Sequence, residues 1–399
     1  NTQGKCVVDT TIALQALTVV GTAKENKYKA ANINVPLGNH NVYAGINLTG
    51  TMKSTLGVKG TFDGVSKFVW FGTDENTPTV GGISVLYAAN EFPMFASEVQ
   101  SLKIVPQPDG QADAENKVTI PIDRMVAKVT VRKGTSFVTG NNSLKAAGAT
   151  FSDAAKWALG NLNGKTYPYG KANFGKANYG QDPNYDYAGK LNETAGKTYR
   201  TQNFVNDFNT STPGVAAWTG FDTDVDANAT AVLLRKVKYA PANNSKQGRL
   251  GESTYAAIQV KFAPDKTFTY SAGDAAPKEV AGYNPSLAGS VTYYVVEAGG
   301  SVYYFAGAAD AAAYATAVTS SVKTYYGQYC FYHIMLGKGT TERNQFYALT
   351  LNSITGLGTP TGEIDDEDVD NTADDRAILD VTLAINPWVL NESDEILEK

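Results

Sequence analysis

The last stretch of the chain constrains its folding most. Residues 377 to 386 read Ala-Ile-Leu-Asp-Val-Thr-Leu-Ala-Ile-Asn, followed by Pro387, Trp388, Val389 and Leu390. Leu379, Val381, Leu383 and Ile385 occupy every second position. At about 3.3 Å per residue, that alternation sets all of them on one face of a β-strand. A strand with one apolar face and free backbone groups has to pair with something. It can tuck into its own domain, or it can complete the sheet of another molecule as a donor strand. The pattern alone leaves both open.

Ahead of this strand lies an acidic run of Glu363, Asp365, Asp366, Glu367, Asp368, Asp370, Asp374 and Asp375. Its density of oxygen ligands would suit calcium, but it lacks the glycine-pivoted spacing of an EF-hand. Like charges in series repel and extend a chain, so residues 359–376 are read as a solvated linker. Whether that linker holds calcium stays open.

The remainder is rich in short alternating segments. Asn32 to Leu37 and Asn41 to Leu48 alternate, with Gly38-Asn39 between them as a turn signal. Ser97 to Val105 alternates through Val99, Leu102 and Ile104. The longest such stretch, Lys117 to Arg132, carries Met125, Ala127, Val129 and Val131 on one side. Thr254 to Phe262, Val291 to Glu297, Val302 to Phe305, Tyr329 to Leu336 and Gln345 to Ile354 are further strands. Ala308 to Val322, without Gly or Pro, is the best helix candidate. Residues 165–213, rich in Tyr, Gly, Asn and Lys, read as a long surface loop. Asp153 to Leu159 suits a strand or a short helix on propensity.

Many short strands with turn signals predict a mainly β protein built from β-sandwiches. The expected division is an N-terminal sandwich at 1–116, a second at 117–358, the acidic linker at 359–376 and the terminal strand at 377–399. The 399 residues suffice for such a pair of domains.

The chemistry of the common enzyme classes leaves little trace. The chain has only 2 His, His40 and His333, each in a strand-like setting that predicts a structural role. No GxSxG elbow, phosphate loop or HExxH helix occurs. Cys6 and Cys330 are far apart and outside any CxxC, so a disulfide or two separate thiols both stay open. A net charge of -5 argues against nucleic acid as a partner. No catalytic set, metal centre or cofactor is predicted. A carboxylate-pair hydrolase, acting as a secreted carbohydrate-active enzyme, is the minor alternative. No apolar run approaches the roughly 20 residues of a membrane helix. The chain starts at Asn1 without a signal peptide or lipid-attachment motif, which predicts a processed product.

Ordered landmarks resemble one family. Ile122-Asp-Arg-Met-Val-Ala-Lys-Val-Thr-Val131 and Lys156-Trp-Ala-Leu-Gly-Asn-Leu162 are similar to successive strands of the fimbrillins, the fimbrial subunits of Bacteroidetes bacteria, or type V pilins. That likeness selects strand over helix at 156–159. Asn184-Tyr-Asp-Tyr-Ala-Gly189, Ala257 to Asp265, Tyr325 to Tyr332, Arg343 to Ile354 and Leu383-Ala-Ile-Asn-Pro-Trp388 follow in the family's order, most like the minor-fimbrium shaft subunit. The resemblance implies two transthyretin-like β-sandwich domains and a lipoprotein precursor carried to the outer membrane. It implies removal of a leading strand, which opens an apolar groove in the N-terminal domain for the next subunit's C-terminal strand. The donor face would be Leu379, Val381, Leu383, Ile385 and Trp388. The acceptor groove would draw on Ile12, Leu14, Ile33, Val35, Ile46 and Leu48. The implied partners are other fimbrial subunits, in a homopolymer with anchor and tip proteins, and host or bacterial surface receptors. The implied role is adhesion and biofilm formation from an extracellular fimbria. The alternative role is a tip or accessory adhesin that binds host protein or glycan through the Tyr-rich loop.

Overall fold

The computed structural model describes residues 18–20, 27–30, 33–48, 69–70, 72–74, 77–78, 92–97, 100–106, 116–134, 145–152, 154–166, 187–208, 219–220, 237–245, 247–337, 339–372 and 379–387. Within them the protein is mainly β.

The N-terminal part contributes β1 (Gly38–Val42), β2 (Gly45–Ile46), β3 (Met94–Ala96) and β4 (Gln100–Ile104). β1 pairs antiparallel with β4, His40 opposite Leu102. Gly38-Asn39, the expected turn, is therefore the start of β1, with Asn39 opposite Lys103. A partner some sixty residues away has overridden local turn chemistry, as tertiary pairing commonly does. β5 (Ile122–Arg124) joins this part too, pairing antiparallel with β3 in the order β5-β3-β2. The N-terminal sheet thus reaches past residue 116.

One turn residue later the same alternating stretch becomes β6 (Val126–Lys133) and enters a different sheet. Met125, between the two strands, is fully buried. Then come β7 (Ala149–Phe151), β8 (Lys156–Gly160), α1 (Thr194–Asn203), β9 (Val237–Pro241) and β10 (Tyr255–Pro264). The chain continues through β11 (Tyr293–Ala298), β12 (Ser301–Phe305), α2 (Ala308–Val318), β13 (Val322–Tyr325), β14 (Tyr329–Met335), β15 (Gln345–Ile354) and β16 (Leu379–Pro387).

A four-stranded sheet in the order β9-β6-β15-β16 faces a sheet centred on β10. β10 pairs with β7 and β8 along one edge and with β14 along the other. Alternation decides what lies between the sheets. Val129 and Val131 of β6, Tyr347, Leu349 and Leu351 of β15, Ile258, Val260 and Phe262 of β10, and Trp157 of β8 share one core. β8 confirms strand over helix at Lys156 to Leu159 because its register with β10 buries Trp157 and Leu159 together.

A third layer forms around β11, β12 and β13. Tyr293, Val295 and Tyr304 turn to the main core, while Val296 and Phe305 turn the other way, under Ala311, Tyr314 and Ala315 of α2. The helix starts at Ala308 as expected. It ends at Val318, where Thr319 caps it with a left-handed backbone (φ 54°) whose N–H returns to Ala315 and Thr316.

The long loop expected at 165–213 contains α1, which was not foreseen. Gly196 within it is there for space: a Cβ would fall inside contact distance of the Lys190 carbonyl oxygen and the Leu191 backbone. Gly→Ala in a helix ordinarily stabilises by about 1 kcal/mol. Here Gly196→Ala is expected to destabilise, by roughly 1–3 kcal/mol, because backbone has to move. Urea denaturation of the two chains checks the sign.

Candidate functional site

The expected donor strand is seated on its own molecule. β16 runs antiparallel to β15 over its whole length, from Leu379 opposite Ile354 to Pro387 opposite Gln345. Val381, Leu383 and Ile385 stand opposite Leu351, Leu349 and Tyr347, with a register shift between Leu351 and Ser353. Leu383 is half-buried and packs against the main core. β16 is the terminal strand of its sheet, so among the described residues it is held through one ladder. Trp388 lies outside the described residues.

The acceptor set is only partly brought together. Ile12 and Leu14 lie outside the described residues. Ile33 is on the surface at 45% exposure, and Val35 is half-buried. Ile46 sits on β2 opposite Met94, and Leu48 packs against the main core.

The segment joining β15 to β16 differs most from its expected form. Its described part, 356–372, is a strap fastened down at several points rather than extended in solvent. Tyr332 and Tyr325 donate their hydroxyls to the carbonyls of Gly356 and Gly358 at 2.9 and 2.8 Å. Thr359 exchanges backbone hydrogen bonds with Phe331 of β14, both at 2.8 Å. Gly362 receives Tyr255 Oη at 3.1 Å and lies 3.1 Å from His333 Nε2. Asp366 bridges Lys197 at 2.7 Å and Arg200 at 2.6 Å on α1. Asp370 accepts the N–H groups of Leu191 and Asn192 at 2.8 and 3.3 Å, just ahead of that helix.

Two apolar residues inside the acidic run make this possible. Ile364 and Val369 are buried with Leu191, Leu250, Tyr255 and Ala257 on the outer face of β8 and β10. Their spacing among the carboxylates was the sequence signal for a docked segment. Beneath them Arg249, nearly buried, reaches Glu252 at 2.7 Å, Gly189 O at 2.6 Å, Tyr187 O at 2.8 Å and Asp370 at 3.4 Å. One guanidinium thereby ties the stretch 187–189 and Asp370 to its own turn at 249–252, using its planar fork of donors.

The acids of the strap titrate in opposite senses. Hydrogen bonds from Lys197 and Arg200 hold Asp366 below the usual aspartate range. Partial loss of solvent at its carboxyl raises Glu363, exposed as a residue, above the ordinary glutamate value of 4.5, against the hydrogen bond from Asn206 and the charge of Arg200. A carboxyl raised in the folded state binds more protons than it does unfolded, so it withdraws stability as pH rises above 4.5. Glu363→Gln is therefore expected to gain on the parent chain between pH 4.5 and 7. Denaturant midpoints that stay parallel across that range would contradict this.

The two histidines have structural partners: His40 Nε2 lies 2.7 Å from Pro36 O, and His333 packs edge-on to Tyr255. Cys330 is buried as a free thiol, pushed up to about 12 by burial, and does not supply a thiolate at neutral pH. Cys6 lies outside the described residues. Among the described residues no group of three His, Cys, Asp or Glu is placed to hold a metal, and no helix is long and apolar enough to cross a membrane.

Residues 323–394 match the family described as major fimbrial subunit protein type IV, fimbrillin, C-terminal. That span contains β14, β15, the strap and β16. No curated protein matches the chain. Among solved structures, the chain is similar to a fimbrilin of Porphyromonas gingivalis at 15% identity, covering 88% of this chain and 81% of that one, with a TM-score of 0.42. A tip fimbrial protein of Porphyromonas gingivalis with a C-terminal truncation is similar at 11% identity, over 87% and 80% of the chains, with a TM-score of 0.30. The resemblance to fimbrillins read from the sequence is borne out at residues 323–394.

Proposed function

We propose that this chain, whose residues 323–394 are a fimbrillin C-terminal region, is a structural subunit of a bacterial cell-surface fimbria. It joins its neighbours by giving its last strand to the N-terminal domain of the next copy. The fimbria stands on the outer membrane and serves adhesion and biofilm formation.

The observation that carries this reading is the seating of β16. It is the terminal strand of its sheet and is held by β15 alone among the described strands. A strand bound along one edge can be exchanged for an equivalent seat without dismantling the layers beneath it. Its alternating Leu379, Val381, Leu383 and Ile385 would fill a neighbour's apolar groove. Burying four aliphatics contributes about 6–12 kcal/mol at roughly 1.5–3 each, before the contacts and pairing that the strand leaves on β15 are subtracted. Pairing of the backbone along such a groove adds to this. In this reading Ile33, Val35, Ile46 and Leu48 mark the receiving side, together with Ile12 and Leu14 outside the described residues, and Trp388, also outside them, belongs to the donor face.

Deletion of residues 377–399 tests it. The shortened chain is expected to remain folded, because the shared core is built from β6, β8, β10, β14 and β15, and to stay monomeric where the full chain polymerises. Loss of the near-UV circular dichroism signal on deletion would show instead that the strand is an internal part of its own domain.

A further inference from the structure

On the reading just given, the last strand has to leave while its domain stays folded. The chain between β15 and β16 is built in a way that allows it. Leu379 stands opposite Ile354, so the chain departs from and returns to one place on the sheet. The described part of what lies between, residues 356–372, is attached elsewhere. Residues 356–359 bond to Tyr332, Tyr325 and Phe331. Asp366 binds α1, and Ile364 and Val369 are buried on the outer face of the sheet centred on β10. The carbonyls of Val369 and Asn371 accept the N–H groups of Gly251 and Leu250 at 2.9 and 2.8 Å. Thr372 bridges to Arg249. None of these partners belongs to β16.

We infer that residues 356–372 are a fixed anchor for the terminal strand, which opens as a separate unit rooted at Thr372. The anchor keeps the layer over β8 and β10 in place when β16 lifts from β15, and any load on a donated strand passes into the Arg249 cluster. It also limits reach. At 3.3–3.6 Å per residue, the chain from Thr372 to Leu379 spans at most about 25 Å. A receiving copy has to present its groove within that distance of Thr372.

Native-state hydrogen exchange on the full-length monomer tests the anchor. The amides of β16 are expected to exchange at least ~10-fold faster than those of Phe331, Leu250 and Gly251, whose acceptors are anchor carbonyls. A chain carrying Asp366→Ala and Asp370→Ala together should speed exchange at Leu191 and Leu250, with the amides of β10 unchanged. Equal rates for strand and anchor, greater protection of the strand, or no response to the double substitution would each overturn the inference. A monomer with the two rates that never polymerises would leave the anchor standing and remove the fimbrial reading. A chain that polymerises while strand and anchor open together would remove the anchor alone.

Discussion

A chain carrying Thr350→Cys and Thr382→Cys is expected to fold, oxidise and lose assembly until it is reduced. Thr350 and Thr382 stand directly opposite each other on β15 and β16. Opposed residues of an antiparallel pair lie about 4.5–5.5 Å apart between Cα atoms, inside the range a disulfide bridges. The bond would hold the strand on its own sheet without touching the groove that receives it. The expected loss of polymer is at least ~10-fold, the shift that 1.4 kcal/mol produces, with full recovery in reductant. A Cys6→Ser background keeps the remaining N-terminal thiol out of the exchange, and Cys330 is buried. Polymer yield read by sedimentation, with and without reductant, separates the bond from any effect of the substitutions.

The largest stability effect is expected at Arg249. Replacing it with Met leaves Glu252, at 1% exposure, without its counter-charge and with the Ser245 hydroxyl still donating to it. It also removes the donors to Tyr187 O and Gly189 O and the cation lying 5.6 Å from the Tyr187 ring centre. Truncating one side of a buried ion pair costs about 3–5 kcal/mol, since the survivor stays desolvated without its counter-charge. Replacing Glu252 with Met in the same chain should return much of that loss. Urea denaturation of the single and double variants measures both. A single-variant loss below about 1 kcal/mol would show that the cluster is not the fastening its geometry indicates.

What the sequence made legible was whatever depends on period. β10, β14 and β15 follow from alternation because each presents one face to a shared core, against which Leu383 of β16 also packs. α2 followed from a run without breakers, although its end at Thr319 falls short of the expected Val322. Three features escaped. Gly38-Asn39 looked like a turn because only β4, far along the chain, makes it a strand. α1 was hidden in a stretch poor in aliphatics. Its anchoring comes from Asp366 and Asp370, with Arg200 and Asp366 separated by 166 residues. The acidic run was read from its own charges, whose repulsion is answered by Lys197, Arg200 and Arg249 and by the burial of Ile364 and Val369. In each case the deciding partner is distant in sequence, which local pattern does not report.

The site was legible to the same degree. The alternating face of β16 was visible at once, and its position as a terminal strand agrees with a segment able to change partners. That it rests on β15 in the single molecule was one of the two outcomes the pattern allowed. The fastening of the strap showed in the sequence only as Ile364 and Val369 among the carboxylates; the rest relies on tyrosine hydroxyls and a buried arginine, which follow no repeat.

The distance between positions 350 and 382 tests the central claim most directly. Spin labels at both positions, diluted into unlabelled chains, should report adjacent strands in the monomer. In the assembled fibre the account predicts that this short distance disappears, because the strand has passed to a neighbour. A fibre that retains the short distance within each chain would contradict it.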